Sequence, residues 1–104
     1  MAKWYEAGII PQHTGATDAY SVTVTSASLV SPTVSTSRAW DITDNDAVTD
    51  VSGTILSGSA SITTSLWTTP LITALTAGQR YRVETDISDS GTTKVFVLFV
   101  NCDY

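Results

Sequence analysis

The chain has 104 residues, enough for one domain around one core, with a formal net charge of −5 and a pI near 4.3. Its five basic residues, Lys3, Arg38, Arg80, Arg82 and Lys94, are dispersed, so no stripe follows a phosphate backbone and nucleic acid is not expected as a partner. Ser and Thr supply roughly a third of the residues, a composition of strands and turns, and no segment approaches the roughly 18 apolar residues of a membrane span.

Residues 1–17 place Gly8, Pro11 and Gly15 among short apolar clusters (Trp4, Tyr5, Ile9, Ile10), which predicts an extended arm outside the globular domain. From Asp18 the pattern changes. In DAYSVTVTSASL, Tyr20, Val22 and Val24 alternate with Ser21, Thr23 and Thr25, as a half-buried strand requires. SPTVSTSRAWDIT follows, with Val34, Trp40 and Ile42 as expected core positions and a start weakened by Pro32. DITDNDAVTDVSG is acidic and rich in turn residues, and is expected as a loop. VSGTILSG and SASITTSLW read as short strands, and TTPLITAL turns Leu71 and Leu75 inward.

QRYRVETDIS has the cleanest alternation. Tyr81, Val83, Thr85 and Ile87 define a buried face, opposite a solvated row of Arg80, Arg82, Glu84 and Asp86. The turn Ser88-Asp89-Ser90-Gly91 then returns the chain through KVFVLFVNC, whose two faces (Val95, Val97, Phe99 and Phe96, Leu98, Val100) are both apolar. The face carrying Phe96 and Leu98 is expected to lie outward, covered by the arm or by another subunit. No helical spacing persists beyond one turn. About seven short strands separated by turn signals predict an all-β sandwich over residues 18–104.

Chemistry-bearing constellations are few. His13 is the one histidine and Cys102 the one cysteine, so neither a Ser-His-Asp nor a Cys-His arrangement is supported, and the chain is read as not an enzyme, with no cofactor. Asp41, Asp44, Asp46 and Asp50 could ligate calcium. Counted from Asp41, however, an EF-hand needs Gly at the sixth position and Glu at the twelfth, where Asp46 and Ser52 stand, so a solvated loop tip is the better reading and no metal site is assigned. Trp40 and Trp67 lie in strand patterns and are expected in the core, whereas aromatics on an arm need a partner surface. The expected partner-binding residues are therefore Trp4, Tyr5, Ile9, Ile10, Phe96 and Leu98.

The segment Leu75-Thr-Ala-Gly78-Gln-Arg-Tyr81 resembles the corner of immunoglobulin-like and fibronectin-like sandwiches. There a leucine enters the core, a glycine permits the turn, and a tyrosine hydroxyl bonds back to the backbone. The antibody disulfide and its paired Trp are absent. Over residues 18–101 the strings DAYSVTVTSASL, STSRAW, ILSGSASITTSLW and LTAGQRYRVETDISDSGTTKVFVLFV are similar to a group of small immunoglobulin-like virion structural proteins of tailed bacteriophages, the decoration or fibre-like group. That resemblance implies a capsid decoration or cement protein, made in the host cytoplasm and carried on the capsid surface. It would bind the major capsid protein or other virion proteins through apolar contacts, and self-associate on the particle. A tail or fibre-associated module recognising a host receptor or glycan is the alternative.

Overall fold

The computed structural model describes residues 3–43 and 48–102, with the backbone only of Lys3, Trp4, Ala7 and Ser26. In chain order the described strands are β1 (Lys3–Pro11), β2 (Ser21–Thr23), β3 (Pro32–Asp41), β4 (Thr49–Asp50), β5 (Leu56–Ser57), β6 (Ser61–Ile62), β7 (Leu66–Thr68), β8 (Leu71–Ile72), β9 (Gln79–Asp89) and β10 (Thr92–Cys102). One helical turn, α1 (Ser52–Ile55), precedes β5, and a 3-10 turn spans Thr25–Ala27. A five-stranded sheet in the order β1-β10-β9-β3-β4 forms one layer, and the small sheets β2-β7-β6 and β5-β8 pack across the core from it. The fold is all-β and sandwich-like.

The β9–β10 hairpin organises the large sheet. Asp89 pairs with Thr92 across the two-residue turn Ser90-Gly91, and the antiparallel ladder then sets Val83 opposite Leu98 and Tyr81 opposite Val100. Directly opposed residues share a face. The buried row Tyr81, Val83, Thr85 and Ile87, read from the sequence, is therefore joined by Phe96, Leu98 and Val100. Trp67 of β7 stacks on Phe96 with ring centroids 5.7 Å apart, and Ile55 and Ile72 help to close the core from the other layer.

The predicted corner has the expected bonding. Leu75 and Tyr81 are buried, and the Tyr81 hydroxyl accepts from the Thr76 backbone N–H at 3.0 Å. Gly78 sits at φ +85°, a conformation that L side chains rarely adopt.

Several expectations require correction, and VSGTILSG, expected as a strand, is a helical turn over Ser52–Ile55 that passes into the two-residue β5. Residues 3–11 are not an arm outside the domain but an edge strand paired in parallel with β10, from Lys3 opposite Lys94 to Pro11 opposite Asn101. Gly8, at φ +115° between the shifted registers of Glu6 and Ile9, marks a bulge inside this strand, and Pro11 ends it at an edge where a missing N–H is tolerated. The strand is anchored just beyond its end by Gln12, which is buried. The Gln12 Nε2 donates to the Ile72 carbonyl at 2.7 Å and the Ala16 carbonyl at 3.2 Å, while its Oε1 accepts from the Tyr20 hydroxyl at 2.5 Å.

Trp40 is not a core residue. The register of β3 against β9 shifts between Val34 and Thr36, so Val34 packs towards the core, whereas beyond the bulge Ala39 takes the inward position and Trp40 the outward one. Leu71 points to solvent, and its neighbour Ile72 is the buried residue of β8. DAYSVTVTSASL keeps its alternation only through Val24, after which the 3-10 turn begins.

A buried carboxylate ties this 3-10 turn and the following loop to the hairpin. Asp89 accepts from the backbone N–H groups of Ser31 at 2.7 Å and Val30 at 3.2 Å, and Lys94 lies 3.5 Å from its Oδ2 while donating to the Ala27 carbonyl at 3.0 Å. The Ser31 N–H, then that of Val30 and the Lys94 charge, hold the Asp89 pKa below the ordinary aspartate value against the opposing effect of burial.

Gln12→Ala leaves two carbonyls and a tyrosine hydroxyl without this partner and is expected to cost roughly 2 kcal/mol in a urea melt, and deleting residues 1–12 should remove the cooperative transition. An unchanged melt of the truncated chain would show that β1 is dispensable. Because the Asp89 pKa is depressed in the folded state, its contribution is complete above the unfolded value near 3.9 and is lost as pH falls through the folded value. Asp89→Asn should therefore be less stable than the parent at pH 7, with the gap narrowing in melts taken below about pH 4.

Candidate interaction face

The outward side of the large sheet is built from the residues alternating with the core row. On β9 these are Arg80, Arg82, Glu84 and Asp86; on β10, Val95, Val97, Phe99 and Asn101; on β3, Arg38 and Trp40; and on β1, Glu6 and Ile9. The face divides into a charged half and an apolar half.

The charged half is internally paired rather than a freely solvated row. Arg38 grips Asp86 with two N–H groups, at 2.8 and 2.9 Å, and reaches the Glu84 Oε1 at 3.3 Å. Arg82 Nε lies 3.0 Å from the other Glu84 oxygen. The Trp40 indole N–H donates to Glu84 Oε1 at 3.2 Å, and the Arg82 guanidinium lies 6.0 Å from the Trp40 ring centre. Glu84, one of the few buried carboxylates, is thus matched by two guanidinium groups and an indole, as a carboxylate removed from water requires. The Asp86 hydrogen bond is the main cause of the raised Arg38 pKa, which burial opposes. The Trp40 ring, placed outward by the β3 bulge, is therefore engaged by this network.

The apolar half is closed at one end and open at the other. Val97, at 0% exposure, has Glu84 and Glu6 as cross-strand neighbours, and Val95 is buried beside it. Towards the C-terminal end of β10 the cover stops. Phe99 is half-exposed, and Ile9, its partner on β1, is 66% exposed. Together with half-buried Ile42 and with Glu6, Arg80 and Asn101 they line a shallow depression of about 350 Å3.

The residues expected to bind a partner do not gather in one place. Phe96 and Leu98, 2% and 1% exposed, belong to the core, which reverses the expected choice of faces on β10. The reason is parity: the turn between two antiparallel strands contains an even number of residues, so the odd-numbered core row of β9 lies opposite even-numbered residues of β10. Tyr5 and Ile10 are half-buried and pack against the same core, with the Tyr5 ring 5.3 Å from that of Phe96. The side chain of Trp4 lies outside the described residues, and among the other five Ile9 alone is largely exposed. Phe99 and Ile42, which sequence reasoning missed as surface residues, complete the open patch.

Two smaller features stand apart from this face. A depression of about 220 Å3 lies between β1 and β2, lined by Tyr5, Glu6, Val22, Thr23, Val24, Trp67 and Phe96. The buried Trp67 Nε1 makes no hydrogen bond among the described residues. Of the acidic-loop carboxylates, Asp44 and Asp46 lie outside the described residues, while Asp41 accepts from the Thr43 N–H and Asp50 from the N–H and hydroxyl of Ser52. Among the described residues no group of three or more His, Cys, Asp or Glu side chains is placed to hold a metal ion, and no helix is long and apolar enough to cross a membrane.

No protein-family model matches the chain, and a search of curated proteins found no match.

The division of β10 into inner and outer rows has a measurable consequence. Phe96→Ser or Leu98→Ser should destabilise the isolated chain by roughly 3 kcal/mol or prevent folding, whereas Phe99→Ser should cost less than about 1 kcal/mol. Urea melts of the three variants check this, and equal losses would show that Phe99 is as much a core residue as the other two.

Proposed function

We propose that this chain is a noncatalytic structural protein of a bacteriophage particle, most plainly a capsid decoration protein, that docks on neighbouring protein subunits through the open apolar end of its large sheet. The carrying observation is the Ile9–Phe99–Ile42 patch, where an exposed Ile9 on the edge strand stands beside the partly exposed Phe99 and Ile42 around one shallow depression. A rigid sheet presents such a patch with little ordering cost, at roughly 25 cal/mol per Å2 of apolar area covered, and many copies on a closed shell add their weak contacts. The bonded Tyr81 corner supports an immunoglobulin-like form of the sandwich. The resemblance of residues 18–101 to small virion proteins of tailed phages supports the setting.

The alternative, a tail-associated module that binds glycans, draws less support from the aromatic residues. A sugar stacks on an open ring face, whereas Trp67 is fully buried and Trp40 is engaged by Arg82 and Glu84.

Quantitative peptide mass spectrometry of particles from the phage that encodes the chain tests the reading. Copy numbers of hundreds per particle are expected, on the order of the shell protein's own multiplicity. A handful of copies would transfer the protein to the tail, and absence from particles would end the structural reading.

A further inference from the structure

We infer that the neighbour seated on the Ile9–Phe99–Ile42 patch is a second copy of this chain, related to the first by a two-fold axis lying in the plane of the sheet face; this names the partner of the docking surface proposed above and rests on that reading.

The charges around the patch carry the inference. Glu6 is in register with Val97 of β10, and Arg80 with Asn101, so the two charged residues lie two strands apart and four residues apart along β10. At strand spacings of about 4.8 Å and rises of about 3.3 Å per residue, their backbones are separated by roughly 16 Å, with Phe99 between them. They are too far apart to pair with each other. Both side chains are exposed, and among the described residues neither forms an ion pair, in contrast to Arg38, Arg82, Glu84 and Asp86 on the same face. An apolar centre with one unpaired carboxylate at one corner and one unpaired guanidinium at the opposite corner is complementary to itself. A two-fold axis crossing the Glu6–Arg80 line near Phe99 brings Glu6 of each copy to Arg80 of the other and sets Phe99 and Ile9 against their counterparts.

Face-to-face packing fits better than pairing of β1 edges into a continuous sheet. The bulge at Gly8 and the proline at position 11 interrupt the row of backbone groups that a second strand would need. The patch is small, so association in free solution is weak and becomes effective when copies are held close on a surface.

Sedimentation velocity of the full chain over a concentration series up to about 1 mM tests the inference, since a contact of this size has a dissociation constant in the micromolar to millimolar range. The expected result is a concentration-dependent shift from monomer to dimer. Glu6→Arg and Arg80→Glu should each weaken it about tenfold or more, and the double variant should restore it to within about threefold of the parent, because the exchanged charges again face each other. Thermal melts of each variant confirm that the fold is retained. A monomer throughout the series, or single and double variants that weaken association alike, would overturn the inference. Quantifying the same variants on particles separates it from the docking reading: a monomeric chain whose particle occupancy still falls on Phe99→Ser uses the patch against the shell, and a chain that dimerises through it but is absent from particles retains the dimer and loses the virion role.

Discussion

The structure depends on closing a strand that is apolar on both sides. β10 holds the core with Phe96, Leu98, Val100 and Cys102 on one face, and carries Val95, Val97 and Phe99 on the other. A strand of this composition is stable only inside a sheet, with both edges paired and both faces covered. β9 supplies one edge through a tight hairpin, and β1 supplies the other in parallel, from the opposite end of the chain. Six of the ten described strands are only two or three residues long, so the long-range ladder β1-β10-β9-β3 concentrates the regular hydrogen bonding. The small sheets β2-β7-β6 and β5-β8 then serve chiefly as a lid, lowering Trp67 and Ile72 onto the inner face of the hairpin.

The polar devices secure this arrangement at its margins. Gln12 fixes the end of β1 to Tyr20 and Ile72 of the opposite layer, so the parallel edge strand is tethered to both layers at once. Asp89 fixes the loop after the 3-10 turn to the hairpin tip, and Thr76 and Gly78 fix the corner that launches β9. The bonds from Gln12 to Ile72, from Ser31 to Asp89 and from Gly78 to Cys102 join groups distant in sequence, while Tyr81 closes the corner locally on Thr76. Such bonds add geometric specificity that the weakly patterned short strands lack.

How much of this was legible in the sequence depended on whether a segment was free of bulges. The inward row of β9 is legible because eleven residues run without interruption and its apolar positions recur every second residue, and the corner is legible because its leucine, glycine and tyrosine each have one steric or bonding role. Trp40 was misplaced because the shift between Val34 and Thr36 exchanges inward and outward positions, and Ser35 and Thr36 give no hydropathy signal that a residue has been inserted. β1 was mistaken for an arm because Gly8 and Pro11 are loop signals taken singly, yet here they form a bulge and an edge-strand end. The two faces of β10 could have been told apart. Any even-numbered turn through Ser90-Gly91 pairs Val83 with an even-numbered residue, which places Phe96 and Leu98 inside, so the information lay in the parity of the turn and not in composition.

That parity also decides which apolar side chains of β10 face outward. With Phe96 and Leu98 committed to the core, the outer row is Val95, Val97 and Phe99, and its cover comes from the strands on either side. Along the Val95–Val97 stretch β9 contributes Asp86 and Glu84, with Arg38 bridging the two carboxylates and Arg82 paired with Glu84. At Phe99 the β1 bulge has just shifted the register, and the outward partner becomes Ile9, a branched apolar side chain with no charged head to carry over its neighbour. The bulge decides what stands beside Phe99: in unbroken register from Glu6 opposite Val97 the partner of Phe99 would be Gly8, which has no side chain, and the shift puts Ile9 there instead. A backbone irregularity that protects the sheet edge from indiscriminate strand pairing thus also directs a compact apolar surface outward, and specificity for one neighbour passes from backbone hydrogen bonds to side chains.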